Sequence, residues 1–285
     1  MQKSINLIGA GRAGAPIAAI LQQHGGFRVQ AVLSRRPEPA ARLAAMLDCV
    51  PVAQWSDLPE ADITLIATPD GVIAEAAAAL AALPWVGGQH VFVHLSGGKT
   101  MIELAALAVR GAKTGSLHPV FAFADAAQSV RQLSGSLCAL EGDAHSLPEL
   151  QALAAALGLR AFTVEPEQKA RYHAALSAAA NFSVTLAEFA QNLLLPTQIP
   201  QAMRRELVAS LMRQNADNLL RQTPAEALTG PIVRGDAATV AAHLAVMTAS
   251  ERAVYQSWAK ETLALAQARV PADTVARLQA LLADN

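Results

Sequence analysis

The stretch INLIGAGRAGAP, residues 5–16, decides the fold that this sequence predicts. A short apolar run leads into three glycines with the spacing G-x-G-x-x-G. Between a strand and a helix, the first glycine permits a sharp bend, the second lets backbone approach a pyrophosphate, and the third lets the helix pack on the strand. We therefore predict a dinucleotide site, with a tight turn that binds no ligand as the alternative. The turn consists of Gly9, Ala10, Gly11, Arg12, Ala13 and Gly14.

A repeated alternation of strands and helices begins at this turn and continues to about residue 164. The predicted strands are short runs rich in β-branched residues, and helix-length segments rich in alanine separate many of them. This order is typical of an α/β fold with a doubly wound, mostly parallel sheet. The strand segments are INLIG, VQAVLS, ITLIATP, HVFVHLSG, AKTGSLHP, SLCALEG and LRAFTVE.

The character of the sequence changes after residue 164. From there to the end no convincing strand occurs, and apolar residues recur at helical spacing. We therefore predict two domains, a nucleotide-binding α/β domain at residues 1–164 and an all-helical domain at residues 165–285.

The end of the second predicted strand discriminates between cofactors. NAD sites usually place an acidic residue there, which binds the ribose hydroxyls and would repel a 2′-phosphate. This chain has Ser34, Arg35 and Arg36 instead. Because guanidinium groups bind phosphate through paired donors, we predict NADP, with NADPH preferred over NADH. A solvated arginine pair that opens a loop is the alternative.

Two further segments end strands at the edge where doubly wound sheets bind ligands. Thr68 and Pro69 follow the strand ITLI, and we expect them to border the ribose or diphosphate on the nicotinamide side. Ser96 follows the strand VFVH, where its hydroxyl would face nicotinamide or substrate. An ordinary turn serine is an equal alternative, because serine is common in turns.

The first helix of the second predicted domain carries a polar stripe. Its members, spaced four residues apart among small residues, are Lys169, His173, Ser177 and Asn181. Such a stripe favours a substrate cleft over a merely solvated helix face, because small neighbours leave room for a ligand. Histidine is a plausible proton donor near neutral pH, and asparagine can orient the same heteroatom.

Two other segments contribute candidates. His118 precedes a proline at the end of a strand, and an active role and a structural role are equally consistent with it. In the segment LTGPIVRGDAATVAAHL, residues 228–244, Asp236 is a predicted helix cap, and Arg234 is a candidate ligand for a substrate carboxylate. A surface arginine is the commoner outcome.

Composition excludes several classes of protein. The formal net charge is −1, which argues against nucleic acid as a partner. The two cysteines, Cys49 and Cys138, stand alone in apolar surroundings, so neither a disulfide framework nor a metal site is predicted. The longest apolar stretch contains Glu75 and is interrupted by Pro84, and no secretory leader is recognisable. We therefore expect a cytoplasmic protein with no membrane association.

Several segments together resemble the Rossmann-like proteins with a DUF2520 C-terminal domain. They are LIGAGRAG, HLSG, GSLHPVFAF, KARYHAALSAAANF and ALTGPIVRGDAATVAAHL, and they span nearly the whole chain. That family is similar in build to pyrroline-5-carboxylate reductase, ketopantoate reductase and prephenate dehydrogenase. The resemblance implies an NADP-dependent oxidoreductase that dimerises through its helical domain. It also suggests a cleft role for His118 and His173.

This chain departs from these relatives at some positions, so not every role of their residues can be transferred to it. The later paired histidines of prephenate dehydrogenases are absent, since Asn181 and Phe182 stand there. We predict hydride transfer between NADPH and a small carbonyl or imine substrate bound between the domains. In this hypothesis His173 exchanges the proton and Asn181 orients the substrate. A nucleotide-binding sensor or regulatory protein without catalysis is the alternative, because fold does not fix function.

Overall fold

The computed structural model describes residues 2–283 and contains one eight-stranded sheet. Its strands are β1 (Lys3–Ile8), β2 (Phe27–Leu33), β3 (Val50–Val52), β4 (Ile63–Ile66), β5 (Val91–His94), β6 (Lys113–Pro119), β7 (Leu137–Gly142) and β8 (Arg160–Thr163). The order across the sheet is β3-β2-β1-β4-β5-β6-β7-β8. Adjacent strands are parallel except β6 and β7, so β7 and β8 run against the other six. The predicted doubly wound, mostly parallel sheet is confirmed.

Helices follow most strands and then occupy the rest of the chain. Those of the sheet region are α1 (Gly14–His24), α2 (Pro37–Leu47), α3 (Ile73–Ala81), α4 (Ala105–Val109), α5 (Ala126–Gln132) and α6 (Leu147–Ala156). The later ones are α7 (Lys169–Ser177), α8 (Ser183–Leu193), α9 (Gln201–Leu219), α10 (Pro224–Ala227), α11 (Ala237–Ala245), α12 (Ala249–Ala266) and α13 (Ala272–Leu282).

Both faces of the sheet are covered, because its central strands are apolar on both sides. All four residues of β4 and all four of β5 are buried. One apolar cluster contains residues from α1, α2 and α6, and the other contains residues from α3 and α4. Burial of this kind is worth roughly 25 cal/mol per Å² of apolar surface, which makes the two clusters the main stabilising feature of the sheet region.

The strand β3 is missing from the sequence prediction. Its segment Val50–Val52 contains a proline and lies at the edge of the sheet, and two of its three residues are exposed. Proline is tolerated at such an edge because it has no N–H to donate to a further strand. A short, exposed strand of this kind lacks the apolar run by which the other strands are recognised.

The chain divides into two compact units, one up to residue 180 and one from residue 181. The last strand ends at Thr163, close to the predicted domain boundary at 164, and the described residues beyond it form no strand. The compact division falls later because α7 belongs with the sheet. The second unit has its own apolar cluster, formed by residues such as Val240, Leu263 and Leu278. The assignment of functions to residues 1–164 and 165–285 stays a prediction.

Among residues 2–283, no helix is both long enough and apolar enough to cross a membrane.

Candidate active site

The glycine turn between β1 and α1 has the three environments that a dinucleotide turn requires. Gly9 has a φ of +105°, and a Cβ added there would lie 2.6 Å from the carbonyl oxygen of Ala67. A Cβ on Gly14 would lie 2.8 Å from the Cβ of Ala67 and would also collide with the Gly9 carbonyl. By contrast, a Cβ on Gly11 would meet no described atom within 4 Å. The first and third glycines therefore serve packing, and the second leaves space for a ligand.

The remaining residues of this turn lie at the start of α1. Ala13 is the N-cap residue of the helix, and no side chain caps it. Arg12 is exposed and Ala10 is half-buried. The first N–H groups of a helix have no partner within the helix and attract phosphate, so this end of α1 suits a pyrophosphate.

Thr68 lies two residues after the end of β4, which is the strand next to β1 in the sheet. Its Oγ1 atom is buried and has no hydrogen-bond partner among the described residues. A buried hydroxyl usually has a partner, because leaving it unpaired costs about 1–3 kcal/mol. Pro69 beside it is exposed. This orphaned hydroxyl and the space at Gly11 both fit a bound dinucleotide.

Ser34, Arg35 and Arg36 connect β2 with α2. Ser34 is half-buried, whereas both arginines are exposed. Arg36 is the N-cap residue of α2, and no side chain caps that helix. Two guanidinium groups and a free helix N-terminus therefore stand together, and such a set of donors suits a phosphate dianion.

The turn after β5 contains Ser96, Gly97 and Gly98. The Ser96 hydroxyl accepts hydrogen bonds from the backbone N–H groups of Gly98 (3.2 Å) and Lys99 (3.0 Å). This local bonding is typical of a turn serine. The Ser96 N–H donates to Nδ1 of His94 (3.2 Å), and Nε2 of His94 lies 3.1 Å from the Thr100 carbonyl oxygen. The turn is thus held by its own side chains.

Two histidines pack on the glycines of this turn. His118 is at the end of β6, and a Cβ on Gly97 would lie 2.6 Å from its Cε1. His173 projects from α7, and a Cβ on Gly98 would lie 3.0 Å from its Nδ1. The two ring centroids are 6.2 Å apart. We call His118, His173 and the Gly97–Gly98 turn the histidine pair site.

Tyr172 completes the surroundings of His118. Its hydroxyl lies 2.9 Å from Nδ1 of His118, and the two rings are perpendicular at 88°. Burial lowers the pKa of His118 to about 4, with smaller contributions from His173 and Lys169. Burial raises the pKa of Tyr172 to about 12. At neutral pH His118 is therefore an uncharged imidazole and Tyr172 an intact phenol.

Lys169, the first residue of α7, is buried, with 1% of its side chain exposed. Its Nζ lies 2.5 Å from Oε2 of Glu141 on β7 and also donates to the hydroxyl of Ser116 on β6. Oε1 of Glu141 accepts from the N–H of Met101 (2.8 Å). Burial lowers the pKa of Lys169, although the contact with Glu141 opposes this. The ion pair fastens the start of α7 to the sheet.

The other residues of the predicted polar stripe are not part of the histidine pair site. Ser177 ends α7 and is half-buried, whereas Asn181 is exposed. Asn181 lies in one π-helical turn, Ala178–Phe182, which begins in the first compact unit and ends in the second. A π-helical turn inside an α-helix often occurs at a functional site. The predicted orienting role of Asn181 stays a prediction.

In the second unit, Asp236 caps α11 as predicted, because its side chain accepts from the N–H of Thr239 at 3.0 Å. The role of Arg234 for a substrate carboxylate stays a prediction.

Sequence reasoning missed Tyr172, Glu141 and the packing role of Gly97 and Gly98. One signal was available for Glu141, since a lone carboxylate at the end of an apolar strand indicates a buried partner. Tyr172 adjoins His173 in the sequence, but adjacent residues on a helix point in different directions. Its contact with His118 depends on how α7 packs, which the local sequence does not specify.

Residues 136–262 match the family model described as a domain of unknown function, DUF2520. The matched segment includes β7 and β8 as well as helices from α6 into α12. The match therefore covers the two reversed strands of the sheet and the helix that carries Tyr172 and His173. This match confirms the resemblance that the sequence motifs indicated.

The whole chain resembles solved structures of Rossmann-like proteins. A candidate NADP oxidoreductase from Bacteroides fragilis is 22% identical, with a TM-score of 0.75 over 92% of this chain and 98% of its own. A 1-pyrroline-5-carboxylate reductase from Streptococcus pyogenes is 18% identical, with a TM-score of 0.64 over 94% and 99%. A reductive aminase from Aspergillus terreus, in complex with NADPH and ethyl-5-oxohexanoate, is 14% identical, with a TM-score of 0.62 over 99% and 93%. At these identities the likeness establishes the fold.

No curated protein sequence matches this chain.

Proposed function

We propose that this protein is an NADP-dependent oxidoreductase. Its DUF2520 match includes the last two strands of a Rossmann-like sheet and helices that follow them. One observation carries the proposal. The adjacent parallel strands β1, β4, β5 and β6 all end at one edge of the sheet. At that edge stand the glycine turn, Thr68 and the histidine pair site. The proposed nucleotide site and the proposed proton-transfer site would thus share one edge, which is where α/β proteins bind ligands.

The solved relatives support this choice of cofactor. The reductive aminase holds NADPH in its complex, and the Bacteroides protein is described as a candidate NADP oxidoreductase. In this chain the glycine turn would hold the pyrophosphate, Thr68 the nicotinamide ribose, and Arg35 with Arg36 the 2′-phosphate. Bound NADPH supplies a hydride and leaves as NADP⁺.

The reaction that we propose is reduction of a small carbonyl or imine substrate, or its reverse. The substrate carbon accepts the hydride, the electron pair of its double bond moves to the heteroatom, and the heteroatom takes a proton. His173 is the proton donor in this proposal, because it stands at the turn after β5 and histidine exchanges protons near neutral pH. Lys169 acts as a positioning residue, since its ammonium is committed to Glu141 and Ser116.

Calorimetric titration tests the cofactor. We expect NADPH to bind at least roughly tenfold more tightly than NADH, because two charge-assisted contacts to a phosphate are worth more than 1.4 kcal/mol. The double variant R35A/R36A should lose this preference while retaining NADH binding. Equal affinity for the two cofactors in the unaltered protein would contradict the assignment.

A panel of keto acids, ketones and cyclic imines tests catalysis through the loss of NADPH absorbance. Oxidation of NADPH with one of them supports the enzyme, and H173A should then slow turnover by about 100-fold. Tight NADPH binding without oxidation on any panel member would favour the sensor function instead.

We also propose that the protein forms a homodimer through its helical segment. The support is a row of exposed apolar residues on α9 at four-residue spacing, which consists of Met203, Leu207 and Leu211. On a helix such residues lie on one face, and an exposed apolar stripe marks an interaction surface.

A further inference from the structure

The bond between Tyr172 and His118 determines which ring nitrogen of His118 carries hydrogen. A neutral imidazole has one N–H and one acceptor nitrogen. Burial keeps His118 neutral and keeps Tyr172 a phenol, as the shifts of their pKa values indicate. An imidazole nitrogen is a stronger acceptor than a phenol oxygen, and a phenol is a good donor. The Tyr172 hydroxyl therefore donates to Nδ1 across the 2.9 Å contact, and the hydrogen of His118 resides on Nε2.

The position of Tyr172 is itself well defined. Phe162 on β8 packs against its ring, with centroids 6.1 Å apart and planes at 69°. One turn earlier in α7, Lys169 is bonded to Glu141 and Ser116. Because the helix is fastened and the ring is packed, the phenol hydroxyl is directed at His118 before any ligand arrives.

The ring of His118 lies against the turn at the carboxyl end of β5. A Cβ on Gly97 would lie 2.6 Å from Cε1, 2.7 Å from Nε2 and 2.9 Å from Nδ1, so the imidazole as a whole packs on this turn, and of its two nitrogens Nδ1 is the one that contacts Tyr172. The hydrogen-bearing nitrogen thus stands at the edge of the sheet that holds the glycine turn. His173 contributes its own ring to the neighbouring Gly98.

We propose that Tyr172 fixes His118 as the neutral Nε2–H tautomer, and that this N–H binds a lone pair on the substrate, which selects a carbonyl compound over a protonated imine. The proposal rests on the proposed function and narrows its substrate class. A carbonyl oxygen has two lone pairs that accept such a hydrogen bond. The nitrogen of an iminium ion has none, and its own positive charge would face the N–H dipole.

The same hydrogen bond assists the chemistry. When the carbonyl carbon accepts a hydride, the π electron pair moves to oxygen and negative charge develops there. The N–H of His118 stabilises that charge, while the proton comes from His173, so that a carbonyl compound, NADPH and one proton give an alcohol and NADP⁺. A neutral imidazole is suited to this role because it is a hydrogen-bond donor that loses no proton.

Nitrogen NMR of the full chain, with ¹⁵N-labelled histidine and bound NADP⁺, tests the tautomer directly. Of the seven histidines, His118 is assigned by the signals that disappear in H118N. We expect one acceptor-type Nδ1 signal and one N–H-type Nε2 signal for His118 in the unaltered protein, and averaged signals in Y172F. Hydrogen on Nδ1, or no change in Y172F, would overturn the proposal whether or not the protein is an enzyme.

The chain offers a matched control in the second unit. The hydroxyl oxygen of Tyr255 lies 2.9 Å from Nδ1 of His243, and the angle between the planes of the two rings is 85°. Y255F should therefore change the signals of His243 and leave those of His118 and the turnover unchanged. Y172F should lower kcat by roughly tenfold with little change in KM, because it removes one hydrogen bond that orients His118 and leaves the imidazole in place.

A pair of ring compounds of similar shape tests the substrate class. Cyclopentanone presents oxygen lone pairs, and the N-methyl-1-pyrrolinium ion presents a charged nitrogen without one. In assays with these two compounds and with wider panels of ketones and cyclic imines, we expect NADPH oxidation with the carbonyl compounds. The rate of this oxidation should fall in Y172F. Oxidation with iminium ions alone would overturn the proposal but leave the oxidoreductase intact. With no oxidation at all the oxidoreductase fails, and the selection of a carbonyl substrate fails with it.

Discussion

The three glycines of the first turn show how one residue type serves different purposes within six positions. Gly9 and Gly14 lack side chains because the backbone of the turn and Ala67 occupy the space. Gly11 lacks one although no described atom stands there. Packing thus explains the first and third glycines, and the open space at the second is consistent with the proposed pyrophosphate site.

This difference predicts opposite outcomes for two alanine substitutions. G11A should leave the free energy of unfolding within about 0.5 kcal/mol of the original, because its new methyl group meets open space. It should raise the Kd for NADPH by at least tenfold, since the methyl group occupies the ligand's place. G14A should instead destabilise the protein by more than about 2 kcal/mol, through overpacking against backbone. Urea denaturation and calorimetry measure both quantities.

If G11A bound NADPH as tightly as the unaltered protein, the glycine turn would not be the pyrophosphate site. G14A provides the control for a purely structural role.

The sequence predicted individual site residues where a motif or a strand end specified them. The glycine turn, His118 and His173 could be named as candidates because each follows from local spacing or from the edge of a parallel sheet. The contact of Tyr172 with His118 could not be predicted, because it depends on how α7 packs, and the partners of Glu141 could not, because they depend on the register of β6 against β7, which pairs Ser116 with Glu141. That register involves residues about 25 positions apart and leaves no mark in either segment alone.

At the scale of the element, α7 connects the stability of the sheet to the histidine pair site. Its first residue, Lys169, forms a buried ion pair. Its fourth residue, Tyr172, contacts His118, and its fifth, His173, lies against the Gly97–Gly98 turn. Sequence periodicity predicted the helix, but it assigned the helix to the second domain. The packing of the Lys169 ammonium against two strands places it in the first compact unit instead.

Removal of the ammonium should therefore be costly. K169M should lower the free energy of unfolding by about 3 kcal/mol, because it leaves the buried Glu141 carboxylate without its cationic partner. The double variant K169M/E141L should recover most of this loss, since an apolar pair of similar volume needs no partner. Urea denaturation gives the values.

The exposed ion pair between Lys3 and Glu149 is the matched control for this experiment, because 44% of the Lys3 side chain is exposed. K3A should cost less than about 1 kcal/mol. Equal losses in K3A and K169M would mean that the buried pair does not fasten α7.

At the scale of the whole molecule, the lowered pKa values of His94, which is buried, and of His118, which is half-buried, predict a fold that is sensitive to acid. Burial, together with the nearby Lys169, lowers the pKa of His94 to about 3, and burial lowers that of His118 to about 4. In the unfolded chain both would titrate near 6.5. Below that pH the unfolded state binds more protons than the folded state, so the stability that these residues contribute decreases as the pH falls.

We expect the free energy of unfolding to fall between pH 6.5 and 4, by up to about 1.4 kcal/mol per pH unit for each histidine. H94Q, which retains a donor and an acceptor but does not titrate, should remove one such contribution. Urea denaturation at several pH values measures the slope. An unchanged slope in H94Q would show that His94 is not the acid-sensitive group.

Self-association is the second property of the whole molecule that can be tested. Light scattering at micromolar concentration should report a dimer, and L211E should give a monomer, because a charge in an apolar interface is costly. V109E is the control, since Val109 is 88% exposed on α4 in the other compact unit. A monomer in the unaltered protein would exclude the proposed homodimer.

The reversed direction of β7 and β8 constrains the spacing between Lys169 and Tyr172 within α7. Since these strands run against the others, the chain leaves β8 away from the carboxyl edge of β6, and α7 leads back towards that edge. Each residue inserted between Lys169 and Tyr172 would rotate the following side chains by about 100° and advance them by about 1.5 Å. The ammonium and the phenol could not then both reach their partners. We therefore expect an insertion or deletion at these three positions to uncouple the Lys169 ion pair from the contact between Tyr172 and His118, which urea denaturation and the NMR signals of His118 would report.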